Sequence, residues 1–401
     1  MQQLGRSFCP DRRAFLQGLG ALAATSTTVR AQQDDFQGFL RSLWPAAQAA
    51  GVSRETFDAA TAGLSPEPGV IARPKAQAEF TVGIPTYVAG AVTKERVAKG
   101  RALARELAKT LADAGARTGV PGELCLAILA VESNFGTATG GADVLRVLAT
   151  LAWQGHMADK LGAEFVDALS MLQQGVPRGR LRGSWAGAMG MPQFMPSAYL
   201  KYATSASGAE SADIWGSRAD ALASIANFLG RSGWNAALPW GVETRIPESY
   251  DYASFDMDLA RFRDSGFAQA NGAALPASGA ASLYLPAGAA GPAFLITQNW
   301  EVVRQYNTSD AYALAVCLLA DRIAGRDIPL QPWPKVATLS TAQIQTMQQA
   351  LTRAGFYDGV IDGKLGRASR NALHAFQLSA GISPADGFAS PALLQRLIGG
   401  R

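Results

Sequence analysis

Glu132 closes an apolar run, Ala127-Ile128-Leu129-Ala130-Val131, and is followed by Ser133-Asn134-Phe135-Gly136. A carboxyl group placed there is pushed toward its neutral form twice over. Apolar surroundings disfavour the charge, and the last turn of a helix carries partial negative charge of its own. A carboxylic acid held protonated near neutrality suits general acid catalysis, such as protonation of a glycosidic oxygen. Taken alone, a glutamate at a helix end is more often a solvated surface residue, so the surrounding pattern has to decide.

The elements that would position Glu132 are legible in outline. Pro121-Gly122-Glu123 marks a helix start, and Gly136, Gly140 and Gly141 are placed to stop that helix through a left-handed turn. Upstream, residues 34–119 read as helices that pack around a core. These include Phe36–Leu40, Val52–Phe57 and one long helix opened by Thr93, with Leu103, Leu107 and Leu111 at four-residue spacing. The piece from Gln77 to Tyr87 reads as extended. Residues 120–240 form the core, with helical spacing over Asp143–Leu151, Ala163–Leu172 and Asp220–Leu229. Alternation over Val242–Ile246 and Ala281–Leu285, and the short apolar Ala293–Ile296, predict a small β insertion between 241 and 298. A helix returns over Trp300–Arg326. Pro329, Pro332 and Pro334 mark a linker over 329–337, and 338–398 is a separate small unit.

A second motif follows the glutamate: Gly187-Ala188-Met189-Gly190-Met191-Pro192-Gln193-Phe194-Met195-Pro196-Ser197. Together with Glu132-Ser133-Asn134-Phe135-Gly136 it resembles the signature of the membrane-bound lytic murein transglycosylase B family (glycoside hydrolase family 103). The last segment, with Gly355-Phe356-Tyr357-Asp358-Gly359, the Asp362-Gly363 turn and Phe376-Gln377, resembles the three-helix peptidoglycan-binding domain of cell-wall hydrolases.

These resemblances imply an α+β, mainly helical protein. It would have a lysozyme-like catalytic domain over 34–328 with a small β insertion, then the linker, then a three-helix module over 338–398. They imply cleavage of the MurNAc–GlcNAc bond of peptidoglycan with closure of a 1,6-anhydro ring on MurNAc. Glu132 would act as the acid and then as the base, and no cofactor is required. Carried over residue by residue, Ser184, Met189, Gln193, Tyr306, Asn307 and Tyr312 match groups that contact substrate or face the glutamate. Phe228 falls where the family often has a tyrosine. Some relatives carry a calcium-binding loop matching 205–213. Here Ser205 and Ala209 replace two of its ligands, so no bound metal is expected. Two other readings stay open at this stage: a hydrolytic muramidase that uses water and a second carboxylate, and a non-catalytic wall-binding protein.

Composition narrows the alternatives. Of 401 residues, 48% are hydrophobic and 17% charged, which allows a sizeable core in two or three domains. The net charge of +4 sits mostly in residues 1–31, where four arginines face Asp11; beyond them 32 basic residues meet 31 acidic ones. The body therefore gives no electrostatic case for nucleic acid as a partner. Arg12-Arg13 before a short Gly/Ala-rich apolar run, with Val29-Arg30-Ala31 as a cleavage site, resembles a twin-arginine export signal over 1–31. An exported, periplasmic monomer follows as the expectation. No run of about 20 apolar residues suggests a transmembrane anchor. Cys125 and Cys317 lie in apolar helical runs and read as buried small side chains. With only His156 and His374 present, a His/Cys zinc site and a Ser-His-Asp triad are both disfavoured.

Overall fold

The computed structural model describes residues 35–71, 82–155, 157–326, 331–335 and 337–399. The leader over 1–31, His156, the Gln77–Phe80 piece and Pro329 lie outside them. Contacts divide the chain into two compact units. One takes 139–201 together with the chain before residue 74; the other takes 74–138 and everything from 202 on.

In the first unit, the helices Val144–Trp153 and Ala158–Gln173 pack against each other. Asp143 caps the former by accepting from the Arg146 N–H at 3.2 Å, and it pairs with Arg178 at 2.5 Å. Two short antiparallel strands, β1 (Ala142–Asp143) and β2 (Arg182–Gly183), lie beside this cap. Helices Trp44–Ala49 and Arg54–Thr61 pack on Ala158–Gln173, so the early helices belong with this unit. Gly140, at φ +80°, is obligatory here: a Cβ would lie 2.2 Å from the Gly183 carbonyl oxygen.

The second unit is built around the helix Gly122–Ser133, in which Leu124 through Ala130 are all buried. A helix surrounded on every face needs no amphipathic stripe, which is why its sequence reads as a continuous apolar run. Asp310–Ile323 is packed against it, with Lys94–Glu106 and Arg218–Arg231 also in contact. Gly100 lets Lys94–Glu106 approach Asp310–Ile323, since a Cβ there would sit 2.5 Å from Ile323 Cδ1.

Several expectations need correction. Thr93 does cap a helix, but that helix ends at Glu106 and a second one runs from Ala108 to Thr118. Leu107, at φ −102° and ψ 19°, is the break between them. Tyr87 lies in the helix Ile84–Ala91 and not in an extended piece. The helix expected over Trp300–Arg326 is two, Gln298–Tyr306 and Asp310–Ile323, separated at Asn307. Ser309 caps the second by accepting from the Tyr312 N–H at 3.3 Å.

The β insertion is a five-stranded antiparallel sheet. Its strands are β3 (Gly241–Arg245), β4 (Asp256–Asp258), β5 (Ala268–Gln269), β6 (Ala280–Tyr284) and β7 (Ala293–Ile296), in the order β4-β6-β7-β3-β5. The helix Leu259–Asp264 follows β4, and Leu259 and Phe262 join Leu283 and Leu295 in the sheet's own core.

The C-terminal module has three helices, Thr341–Arg353, Arg367–Ser379 and Pro391–Gly399. Its Asp362-Gly363 turn is clasped by the buried Gln348: the Gly363 N–H donates to Gln348 Oε1 at 2.9 Å, and Gln348 Nε2 donates to Asp362 Oδ1 at 3.1 Å. The same device recurs at Asp386-Gly387, where Gly387 N–H donates to Gln377 Oε1 at 2.7 Å and Gln377 Nε2 donates to Asp386 Oδ1 at 3.0 Å. Both glycines have left-handed backbones, φ 73° and 65°.

Candidate active site

Glu132 occupies the last turn of Gly122–Ser133 and is half-buried. The helix stops earlier than the glycines suggest. Asn134 takes the left-handed C-cap at φ 49°, Phe135 follows at 61°, and Gly136 continues the turn at 87°. Phe135 is fully buried, which anchors this unusual turn, and Ser133 Oγ accepts from the Gly136 N–H at 3.0 Å. The carboxylate is thereby fixed at a rigid helix end.

Tyr312 reaches the glutamate from the facing helix. Its hydroxyl donates to Glu132 Oε1 at 2.6 Å, across 180 residues of sequence. The Tyr312 side chain is buried, and burial together with the Glu132 charge pushes its phenol well above the ordinary tyrosine range. It therefore stays protonated and keeps its role as donor. Tyr306 behaves likewise: burial, then Glu132, raises its phenol well above the usual value. Glu132 is thus a charge felt by both phenols. Phe228 stands edge-on to Tyr306 with centroids 4.8 Å apart, and the Tyr202 ring lies 4.6 Å from that of Phe228. Asn307 ends the Gln298–Tyr306 helix, and its Oδ1 accepts from the Ser309 N–H at 3.0 Å. The side chain of Asn307 thus shapes the turn that starts the Tyr312 helix.

One aromatic escaped the sequence reading. Tyr87 is close enough to act electrostatically on Tyr312. Only its Tyr type could have signalled this, because the chain around it was read as extended.

Ser184, Met189 and Gln193 belong to the first unit. Ser184 Oγ accepts from the Ala188 and Ala186 N–H groups at 3.1 and 3.3 Å, closing the Ser184–Ala188 turn. Gln193 has a left-handed backbone, φ 54°, and its amide donates to Gly190 O at 2.9 Å and to Thr139 O at 3.1 Å. A side chain held at both amide hydrogens presents its carbonyl in one direction. Met189 differs from expectation. Its side chain is fully buried, and its backbone pairs with Phe194 through N–H···O bonds of 2.8 and 3.0 Å. Its backbone pairing closes the motif's turn onto itself.

Other candidates fall away as reactive groups. Cys125 is buried, its thiol pushed up to about 12, and Cys317 is buried and raised too. Neither can supply a thiolate at neutral pH. His374 stacks on Phe255 at 4.4 Å and meets the Tyr252 carbonyl at 2.6 Å. In the 205–213 loop, Ser205 Oγ accepts from the Ser207 and Ala209 N–H groups, while Asp220 takes those of Ala206 and Asp213. Among the described residues, no group of three or more His, Cys, Asp or Glu side chains could hold a metal ion.

Comparison with known proteins fits this geometry. Residues 35–321 match the model of the transglycosylase SLT domain, and 340–397 match that of a peptidoglycan binding domain. A crystal structure of SltB3 from Pseudomonas aeruginosa, in complex with NAG-anhNAM-pentapeptide, is 41% identical with a TM-score of 0.82, covering 90% of this chain and 99% of that one. Soluble lytic transglycosylase SltB1 from the same organism is 26% identical, with a TM-score of 0.62 over 72% of this chain and 99% of that one. The membrane-bound lytic murein transglycosylase B of Escherichia coli (strain K12) is 31% identical over 216 residues. That match spans 51% of this chain and 58% of the E. coli protein. With a family match running across most of its length and a close structural relative aligned nearly end to end, the chain belongs to the transglycosylase SLT family and carries a peptidoglycan binding domain at its C-terminal end.

Proposed function

We propose that this protein cleaves the MurNAc–GlcNAc bond of peptidoglycan without water, leaving 1,6-anhydro-MurNAc. The observation that carries the reading is the 2.6 Å bond from the Tyr312 hydroxyl to Glu132 Oε1 at a rigid, half-buried helix end. A phenol that stays protonated supports both halves of the reaction. First, the Glu132 carboxylic acid gives its proton to the glycosidic oxygen as the bond to the MurNAc anomeric carbon breaks. The Tyr312 hydroxyl then stabilises the carboxylate left behind, because a donated hydrogen bond favours the charged form. Next, the carboxylate takes the proton of the MurNAc 6-hydroxyl, whose oxygen closes on the anomeric carbon. The proton lost in the first step is regained in the second.

A retaining or inverting hydrolase uses a pair of carboxyl groups flanking the bond. The groups tied to Glu132 here are the phenols of Tyr306 and Tyr312, with Phe228 packed on Tyr306, and neutral donors suit a reaction in which the substrate supplies its own nucleophile. Ser184 and Gln193 are assigned as sugar contacts on their motif match, with Asn307 setting the turn beside the acid. One of the SltB3 complexes holds NAG-anhNAM-pentapeptide, whose anhydro sugar is of the kind this reaction would leave. Export through a twin-arginine signal to the periplasm, and action as a monomer, complete the proposal. Among the described residues, no single helix is long and apolar enough to cross a membrane.

Mass spectrometry of digests of purified peptidoglycan tests the reading. Muropeptides ending in anhydro-MurNAc are expected, lighter by one water than reducing ends. Reducing ends would establish the hydrolytic muramidase, and sedimentation with the polymer without any turnover would establish the wall binder.

A further inference from the structure

The C-terminal module meets the rest of its unit at Asp386, which accepts from the Ala289 N–H at 3.0 Å, and along one face of the helix Arg367–Ser379. Arg367, Arg370 and His374 fall at i, i+3 and i+7 on that face. Arg367 Nη2 donates to Asp256 Oδ1 at 2.5 Å and to Ser282 Oγ at 2.9 Å, and His374 stacks on Phe255. Those two contacts grip the β insertion. Arg370 does something else. Its Nη1 donates to Asp310 Oδ2 at 2.5 Å, and its guanidinium lies 4.9 Å from the Tyr284 ring centroid.

Asp310 is the first residue of the helix that carries Tyr312. Its side chain is only 10% exposed, and its other oxygen pairs with Arg304 Nε at 2.8 Å. Arg304 lies in the helix that ends with Tyr306. One carboxylate is thus held between a guanidinium of the catalytic domain and a guanidinium of the module. Two residues further on, the Tyr312 hydroxyl meets Glu132. By contrast, the Arg367–Asp256 pair is half exposed, at 50% and 55%, and Asp256 lies on β4.

We propose that Arg370 is a positioning residue for catalysis: through Asp310 it fixes the start of the helix that aims Tyr312 at Glu132. The module would then serve the active site as well as hold the polymer. This rests on the reading of Glu132 as the acid and base. A partly buried carboxylate that loses one of its two cations relaxes toward water. With Asp310 so little exposed, that relaxation draws on the first turn of its helix, and the 2.6 Å bond lengthens.

The test uses the full-length protein and a soluble, uncrosslinked glycan fragment, so that polymer binding does not enter the rate. Arg370→Met is expected to lower kcat about tenfold with KM within about twofold, while Arg370→Lys recovers part of the loss and Arg367→Ala leaves kcat unchanged. The acid limb of the pH–kcat profile should move in Arg370→Met and not in Arg367→Ala, since only the former disturbs the donor to Glu132. Should Arg370→Met fail to fold, Asp310→Asn and Arg370→Lys carry the same comparison, with thermal melts as the control. An unchanged kcat in the Arg370 variants, or an equal fall in Arg367→Ala, overturns the proposal. Failure of the underlying reading looks different: the unmodified protein would then release no anhydro product at all.

Discussion

Glu132 and the buried glutamines of the C-terminal module are polar groups set in apolar surroundings, and the chain satisfies them in opposite ways. Gln348 finds its partners close by in sequence, at Tyr357, Asp362, Gly363, Lys364 and Ser369, the farthest 21 residues away. Its amide and carbonyl are both engaged, so it acts as a saturated clasp for the Asp362-Gly363 turn. Gln377 repeats the arrangement for Asp386-Gly387. Glu132 is met by a hydroxyl 180 residues distant and stays half-buried at a helix end. The local, closed network holds a small domain together. The long-range one holds a titrating group where a ligand can reach it, and its strength depends on how well separate helices are registered.

The sharpest way to break that contrast is Glu132→Gln. The substitution keeps size and hydrogen-bonding capacity but removes the exchangeable acid proton. We expect kcat to fall by about 10³-fold or more, the scale of a lost general acid and base. The melting temperature should stay within about 2 °C of the unmodified protein. Gln348→Leu should do the reverse. It strands the buried Gly363 N–H and takes one donor each from Asp362 Oδ1, Ser369 Oγ and the Lys364 carbonyl. Denaturant melts should show the module destabilised by about 3 kcal/mol, while the rate on soluble glycan fragments of the still-folded fraction changes little. If Gln348→Leu abolished catalysis as Glu132→Gln does, the division between structural and catalytic polar groups would be wrong.

Tyr312→Phe tests the long-range bond itself. Loss of one donor to the carboxylate should lower kcat about 10- to 100-fold. The same variant has a signature in stability against pH. Burial raises the Tyr312 and Tyr306 phenols above their unfolded values. At about pH 10 and above the unfolded chain loses these protons while the native state retains them, so stability is flat below that pH and falls above it. Melting temperatures followed from pH 8 to pH 11 should drop more shallowly in Tyr312→Phe. An identical slope would mean that the phenol is not held neutral by its surroundings.

How much of this was visible in the sequence divides along the same line. The glutamate at its helix end and the Asp362-Gly363 turn of the module are local patterns, and both are present as elements of the fold. The cap at Thr93 was also readable, since a short polar side chain before an apolar period has few other uses. What stayed hidden was set by tertiary packing. No residue type marks the break at Leu107, because leucine is a good helix former whose dihedrals are overridden there by its neighbours. Asn307 looked like a helical residue, whereas it ends one helix and shapes the turn into the next. The grouping of the early helices with 139–201 is invisible to periodicity, which reports which face is buried and not against what. Strands β4 and β5, three and two residues long, are too short to show alternation.

Glu243 offers the mildest test, because it is a buried carboxyl of the sheet with no catalytic part in the proposal. It is 5% exposed on strand β3, and its Oε1 accepts from the Gln331 N–H of the linker at 2.8 Å. Among the described residues, Oε2 has no hydrogen-bond partner. Burial raises its carboxyl above the ordinary glutamate value. The unfolded chain therefore gives up this proton at lower pH than the native state does. Stability from this group is complete below about pH 4.5 and declines as pH rises toward the native value. At pH 7.5, Glu243→Gln keeps the acceptor for the linker and removes the charge, so the melting temperature should rise by about 1–2 °C. At pH 4, where the glutamate is already protonated in the native state, the two proteins should melt together. A glutamine variant that is less stable at pH 7.5 would show instead that the ionised carboxylate anchors the linker, and Glu243 would then resemble Glu132 more than the glutamines of the module.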